Sequence, residues 1–387
     1  MRGVSAAAIA AGGLLSLAVA MGIGRFAFTP MLPVMQSDVG LTVQTGGWLA
    51  SANYAGYLIG ALAATRLHVA PLRAILAGLV AIAVTTLAMG FTHAFFEWAI
   101  WRTLAGIASA FVLVHVSAWS VQHLAALKRP SLGGVVFAGV GIGVAGAGLI
   151  CLAFVAIGTT SAQLWLILGA VSILALLAIV PLLASTRTAA PAGTTGPAPA
   201  NQHAPFGGDE WRLIICYGAY GFGYIIPATF LPVMARQVIP DPALFGWAWP
   251  LFGTAGTIAT LLAARASKPA QARSHWAISH FVMAGGCAVA ALVHSFAAVL
   301  IAALAVGGTF MVITMYAVQE ARNKAGALAR PLIGAMTAAF ALGQIVGPLL
   351  VRGATGGGTE FAVPLLLATV VLLASGGGLV IRTRRLA

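Results

Sequence analysis

The sequence predicts an all-α membrane protein with twelve transmembrane helices arranged as two pseudo-symmetric six-helix bundles. Three observations predict this fold class: the composition, the length of the apolar runs and an internal repeat. Of the 387 residues, 60% are hydrophobic and 7% are charged, whereas a soluble domain has about 25% charged residues. Runs such as residues 6–34 and 132–157 are long enough to cross about 30 Å of hydrocarbon as helices. They are continuous, unlike the alternating strands of a membrane barrel.

Polar segments divide the chain into two sets of six apolar spans. The predicted spans of the first set are 7–35, 45–64, 74–92, 95–124, 132–157 and 162–184. Those of the second set are 211–235, 243–264, 276–294, 297–319, 332–351 and 361–381. Residues 186–208 are rich in Pro, Gly, Ala and Thr, a composition that buries too little apolar surface to fold. We therefore expect an N-terminal bundle at 1–185, a cytoplasmic linker at 186–208 and a C-terminal bundle at 209–387.

The two halves repeat each other. A shift of 199 positions aligns Leu32–Met35 with Leu231–Met234, and both read LPVM. A shift of 201 positions aligns Arg129 and Pro130 with Arg330 and Pro331. Because six spans separate equivalent helices, these helices run in the same direction, so the halves should be related by an axis along the membrane normal. Two such bundles can rock about a site between them, which is alternating access.

The net charge of +13 indicates membrane topology rather than a nucleic-acid partner. With a cytoplasmic N-terminus, most Lys and Arg fall in inner segments, and only Arg236 and Arg352 lie at outer ends. We expect a multi-pass protein of the bacterial inner (plasma) membrane with both termini in the cytoplasm. The first apolar run imitates a signal peptide as far as Ala20 but continues to Val34, so we expect it to remain as a span.

Residues Gly24–Pro33, GRFAFTPMLP, resemble the signature of the YbfB/YjiJ-type branch of the major facilitator superfamily. Asn53–Gly60, Gly139–Gly143 and Gly343–Pro348 are similar to that branch too, so the resemblance covers essentially the whole chain. It implies the major facilitator fold and transport of a solute, in a branch whose substrates are poorly defined.

Two general patterns of that superfamily give different results. Arg102, Gly106 and Ala110 match the pattern of the fourth helix, in which Arg, Gly and a small residue recur every four positions. The pattern Gly-x-x-x-Asp-Arg-x-Gly after the second helix lacks its acidic residue, since Gly60 leads to Arg66 without one. The resemblance therefore does not extend to the charge relay of that loop.

Arg25 and Arg102 are the arginines that fall well inside predicted spans, away from the span ends. An arginine there costs about 2.5–3.5 kcal/mol on insertion scales and should face the bundle interior or water. Their repeat partners, Tyr224 and Ala303, are uncharged, which favours substrate recognition over scaffold symmetry. Guanidinium groups suit carboxylate or phosphate, so a small organic anion is the favoured substrate. Alternatively, Arg102 ties its helix to neighbouring carbonyls and Arg25 pairs with Glu97.

Polar and aromatic side chains complete the predicted substrate-binding set. Asn53, Tyr54 and Tyr57 of the second span supply hydrogen-bond donors. Tyr220 and Tyr224 lie on one helix face. The full set is Arg25, Arg102, Asn53, Tyr54, Tyr57, Tyr220, Tyr224 and Gln344. The alternative for the tyrosine face is helix packing.

Two titratable residues are candidates for proton coupling, His115 and Glu97. His115 is preferred because imidazole changes charge near neutral pH. A lone histidine inside a span can also be a hydrogen-bonded packing residue.

The sequence lacks the motifs GxxxxGK[ST], HExxH and GxSxG and has no paired carboxylates. We therefore expect no enzyme activity, no catalytic or metal site and no cofactor. The prediction is a secondary active transporter whose partners are a small-molecule substrate, the lipid bilayer and, as a further candidate, a coupling proton. Proton-linked efflux of amphiphilic or drug-like compounds is one alternative, and a transport-inactive membrane sensor is another.

Overall fold

The computed structural model describes residues 5–67, 69–184, 206–239, 241–266, 269–325, 329–351 and 361–381. Within these ranges the chain forms twelve long helices and no strand. The first six are α1 (Ala6–Val39), α2 (Val43–Arg66), α3 (Pro71–Phe91), α4 (Phe95–Ala126), α5 (Gly133–Val155) and α6 (Ser161–Ala184). The second six are α7 (Gly208–Val238), α8 (Ala248–Ala266), α9 (Ala272–Leu292), α10 (Phe296–Ala325), α11 (Ala329–Leu349) and α12 (Ala362–Val380). A helix thus lies at each predicted span.

Some sequence predictions lie outside the described residues. These are most of the expected linker, the positions of the chain termini and Arg352.

Ten of the helices in the described part of the chain are long and apolar enough to cross a membrane, two fewer than the twelve spans predicted. The two less apolar helices are α2, whose Ser51 Oγ donates to Ile345 O (2.9 Å), and α8, whose Thr257 Oγ1 would lie 2.5 Å from a Cβ built on Gly141. Both pack against the opposite half of the chain, α2 on α11 and α8 on α5. A helix that faces protein along one side can carry polar groups there, because those groups find partners away from lipid.

The first span is interrupted near its middle. An α-helix over Ala6–Leu17 passes into a π-helix over Ala18–Ile23, and α-helix resumes over Phe28–Val39. The backbone N–H of Gly24 donates to Val19 O (3.0 Å) and that of Phe26 to Met21 O (3.0 Å), five residues back. Pro30 has no N–H to donate to Phe26 O, which accepts from Thr29 N instead. The interruption leaves carbonyl groups beside Arg25 available to other donors.

Helices pair in the same way in each half. The pairs α1–α5, α2–α4, α3–α4 and α3–α6 correspond to α7–α11, α8–α10, α9–α10 and α9–α12. Close glycine contacts repeat as well: a Cβ built on Gly106 would lie 2.0 Å from Asn53 O, and one on Gly307 would lie 2.4 Å from Phe252 O. These four residues are repeat partners, so the sequence repeat is also a repeat of packing.

The halves meet along α5 and α8, along α2 and α11, and where α1 crosses α7. At the first seam, a Cβ on Gly253 would lie 2.3 Å from Ala145 N, and one on Gly141 would lie 2.6 Å from Gly253 O. Small residues let these backbones approach closely, which is how helices associate in lipid.

Candidate functional site

The break in α1 is held by Arg102 and Asn53. Arg102 Nη2 donates to Arg25 O (2.9 Å) and Nη1 to Gly24 O (3.5 Å). Asn53 Nδ2 donates to Arg102 O (2.8 Å) and Gly24 O (3.3 Å). The buried guanidinium of Arg102 thus satisfies carbonyls that α1 leaves unpaired, which is the carbonyl-tying alternative given for it above. In this structure Arg102 and Asn53 position the backbone of Arg25.

The side chain of Arg25 is 2% exposed and lies among aromatic rings. Its Cζ is 3.8 Å from the ring centroid of Tyr57, 5.3 Å from that of Tyr54 and 5.1 Å from that of Phe26. The negative faces of aromatic rings attract a guanidinium. Tyr54 also reaches the second half, since its hydroxyl lies 3.0 Å from Thr229 Oγ1.

Two polar side chains of the second half contact the same guanidinium. Arg25 Nη2 donates to Gln344 Oε1 (2.6 Å) and lies 3.4 Å from the Tyr224 hydroxyl. Gln344 Nε2 in turn hydrogen-bonds the Tyr224 hydroxyl. All three residues are buried, so this group joins α1, α7 and α11 away from the protein surface.

The charge of Arg25 has no acidic partner in the described part of the chain. Its Nε and Nη1 are buried and make no hydrogen bond there. A buried charge without a counter-ion is costly, and a guanidinium has N–H groups to spare for a planar anion. Arg25 is therefore equipped to bind an anion.

An aromatic wall stands behind Tyr224. The ring of Phe340 lies 5.1 Å from those of Tyr217 and Tyr220 and 5.7 Å from that of Tyr224, between centroids. Tyr220 donates its hydroxyl to Phe310 O (2.6 Å), so it is tied to α10. Sequence reasoning missed Phe310 and Phe340, because a phenylalanine in an apolar helix gives no sign of which way it faces.

Trp249 and Phe252 of α8 extend this wall toward α1 and were also missed. Their rings are stacked at 4.7 Å, and Trp249 lies 6.3 Å from Phe26. Phe252 is the repeat partner of Asn53, and that correspondence was the signal that could have drawn attention to it.

The two candidates for proton coupling lie apart from Arg25. Glu97 is exposed, and its Oε2 accepts from the backbone N–H of His93 (3.3 Å) and Ala94 (3.1 Å) at the start of α4. The suggested pairing of Arg25 with Glu97 is therefore wrong, because the carboxylate caps its own helix. His115 Nδ1 lies 2.7 Å from Phe111 O, four residues earlier in α4.

The ion pairs of the described residues lie elsewhere, around Asp209. Asp209 at the start of α7 pairs with Arg273 (2.9 Å) and Lys324 (3.2 Å), which links α7, α9 and α10. Cys151, Cys216 and Cys287 are buried free thiols. Among the described residues, no group of three or more His, Cys, Asp and Glu is placed to hold a metal ion.

None of the curated proteins matches this chain in sequence. A family model described as "Uncharacterised MFS-type transporter YbfB" matches residues 17–380, which include both halves and the residues around Arg25. MFS denotes the major facilitator superfamily of membrane transporters. The chain with the buried arginine at the meeting of its two halves therefore belongs to the YbfB-type family of major facilitator transporters.

Proposed function

We propose that this protein is a secondary active transporter that carries a small organic anion across the inner membrane by alternating access. The observation that carries the proposal is Arg25, a buried arginine without an acidic partner among the described residues, at the meeting of the two halves. Membership of a transporter family supports transport of some solute.

The chemistry of Arg25 favours a carboxylate or phosphate. Its planar fork can make two parallel, charge-assisted hydrogen bonds to such a group. Its unpaired Nε and Nη1 supply donors, and Tyr57 covers one face of the plane. In our proposal Arg25 contacts the anion, and Arg102 and Asn53 position Arg25. The other residues that line the site are Tyr54, Tyr57, Tyr220, Tyr224 and Gln344.

Alternating access is supported by the seams between the halves. The proposed bundles are residues 1–185 and 209–387, joined by a cytoplasmic linker at 186–208. Hydrogen bonds within the described ranges join the halves where α1 and α7 approach their C-terminal ends: Thr29 Oγ1 donates to Ala228 O (2.8 Å) and Arg236 Nη1 to Pro33 O (2.7 Å). In one state this end is open and the opposite end is closed, and in the other state the reverse holds. Exchange between the two states would expose Arg25 to each side of the membrane in turn.

The orientation that we propose places both termini in the cytoplasm. Basic residues of the described helices and loops cluster at the end where α1 begins: Arg66, Arg73, Lys128, Arg129, Arg212, Arg265, Arg273, Arg322 and Lys324. Arg236 lies at the other end. This distribution follows the positive-inside rule.

Proton-linked efflux of amphiphilic or drug-like compounds is supported less well. The aromatic rings around Arg25 suit an apolar compound, but a cation would meet an arginine whose charge Glu97 does not neutralise. His115 remains the candidate for proton coupling in either mode. A membrane sensor would bind its ligand at the same site without transporting it. Measuring flux of the ligand across the membrane distinguishes such a sensor from a transporter.

Thermal unfolding of the purified full-length protein tests the proposal, because a ligand that binds the folded state raises the apparent Tm. Acetate, benzoate, succinate, inorganic phosphate and the cation tetraphenylphosphonium are added in turn. We expect at least one anion to stabilise the wild type and Arg73→Ala, a control that removes an exposed arginine at the start of α3, but not Arg25→Ala. Stabilisation by the cation alone, unchanged in Arg25→Ala, would overturn the anion assignment. Flux of the stabilising anion into proteoliposomes then separates a transporter from a sensor.

A further inference from the structure

We propose that Gln344 is an internal competitor of the substrate: its side-chain carbonyl accepts from Nη2 of Arg25, the nitrogen that an anion held by two hydrogen bonds must also use, so anion binding loosens the hydrogen bonds between the two halves. This inference rests on the proposed function. It identifies Gln344 as a residue that limits the affinity for the anion. It also links binding of the anion to movement of the two halves.

The guanidinium of Arg25 offers an anion a limited set of donors. A carboxylate can bind two N–H groups side by side at either of two edges, Nε with Nη2 or Nη1 with Nη2. Nη2 carries two N–H groups, one at each edge. A carboxylate or phosphate held by two hydrogen bonds therefore needs one N–H of Nη2 at whichever edge it approaches.

In the structure, Nη2 is the nitrogen that is already engaged. It donates to Gln344 Oε1 at 2.6 Å and lies 3.4 Å from the Tyr224 hydroxyl, whereas Nε and Nη1 have no hydrogen-bond partner among the described residues. The short contact identifies Gln344 as the main holder of Nη2. An anion that binds with two hydrogen bonds must displace Gln344 or Tyr224.

Both residues belong to the second half, whereas Arg25 belongs to the first. Gln344 and Tyr224 also hydrogen-bond each other, so displacing one alters the other. Anion binding at Arg25 thus exchanges bonds between the halves for bonds to the substrate. At the next residue of α11, Ser51 Oγ donates to Ile345 O (2.9 Å), which continues the same seam between α2 and α11.

Two nearly isosteric substitutions separate competition from support. Gln344→Met keeps the length of the side chain and removes the amide that competes for Nη2. Gln344→Glu places a carboxylate beside Arg25, where an opposite charge keeps it ionised. If Gln344 competes, methionine strengthens anion binding and glutamate weakens it. If Gln344 supports the site or contacts the anion, methionine weakens binding.

The experiment measures the affinity of benzoate, acetate, succinate and inorganic phosphate for the full-length wild type and both variants by calorimetry in detergent. From the usual strength of hydrogen bonds to charged groups, we expect the Kd of the anion to fall about tenfold in Gln344→Met. In Gln344→Glu we expect the Kd to rise by about tenfold or more. Size-exclusion profiles and the Tm without anion show whether each variant folds.

Each outcome decides the matter. Wild-type binding that weakens or stays unchanged in Gln344→Met overturns the competitor role and leaves the anion site standing. Equal affinity of Gln344→Glu and the wild type overturns it as well. If none of the four anions binds the wild type or Gln344→Met, the proposed function fails and this inference with it.

Discussion

Arg25 and Tyr224 occupy equivalent positions in the two halves, 199 residues apart, and their side chains meet, with Arg25 Nη2 3.4 Å from the Tyr224 hydroxyl. Thr29 and Ala228 have the same separation and are joined by a hydrogen bond of 2.8 Å. Equivalent positions touch only beside the axis that relates two copies. The charged residue thus lies next to the axis of the repeat, where its partners come from both halves, and the repeat itself is broken there because arginine faces tyrosine.

Replacing Arg25 with lysine tests whether the planar fork matters as well as the charge. Lysine cannot make two parallel hydrogen bonds to one carboxylate. We expect Arg25→Lys to weaken binding of the stabilising anion by about tenfold or more, as measured by calorimetry. Arg73→Lys is the matched control, since Arg73 is exposed at the start of α3, away from the seams between the halves, and its affinity should not change. Unchanged affinity in Arg25→Lys would count against an anion held by two parallel hydrogen bonds.

Arg102 should act on stability rather than on the choice of anion. Its guanidinium donates to the carbonyls of Gly24 and Arg25, and Arg102→Met leaves these without a charged donor. We expect a loss of about 2 kcal/mol or more in the free energy of unfolding, with a smaller loss in Arg102→Lys. Denaturant titration gives the stability, and the order of anion affinities should be retained. Loss of binding at full stability would instead place Arg102 in contact with the anion.

The close packing of α2 on α4 can be probed at Gly106. A Cβ at this position would lie 2.0 Å from Asn53 O, so Gly106→Ala must push the helices apart. We expect a loss of about 1–3 kcal/mol, as for other overpacked cores. Gly146 of α5 is the matched control, because a Cβ there meets nothing within 4 Å. Gly146→Ala should be neutral or stabilising by up to about 1 kcal/mol. Similar Tm changes in the two variants would refute this packing argument.

A proton-coupled mechanism predicts a role for His115. We expect wild-type anion transport into proteoliposomes to increase as the external pH falls from about 8 to about 6, because an inward proton gradient then drives entry of the anion together with a proton. His115→Gln should flatten this dependence. His123→Gln is a close control, because His123 Nδ1 lies 2.8 Å from Trp119 O in the same helix, four residues back, as His115 Nδ1 lies 2.7 Å from Phe111 O. Transport by His115→Gln that keeps the wild-type pH dependence would exclude His115 as the coupling residue.

The positions of the helices could be predicted from the sequence because each depends on local composition. Every predicted span has a helix, and α1 extends four residues beyond its expected end at Met35, to Val39. The sequence shows that α2 and α8 are less apolar than the other helices, but it does not show why this is tolerated. The structure supplies the reason, because each of these helices packs against the other half of the chain.

The sequence by itself determined that this chain enters a membrane, that its halves repeat and that Arg25 and Arg102 need shelter from lipid. These properties follow from hydrophobicity and from the cost of charge in hydrocarbon, which any arrangement of the helices must satisfy. Only the tertiary structure decided how the two arginines differ. The π-helical break in α1 turns two carbonyls to Arg102, while Arg25 meets Gln344, 319 residues away. Such partnerships depend on helix rotation and crossing, and neither is specified by the composition of a single span.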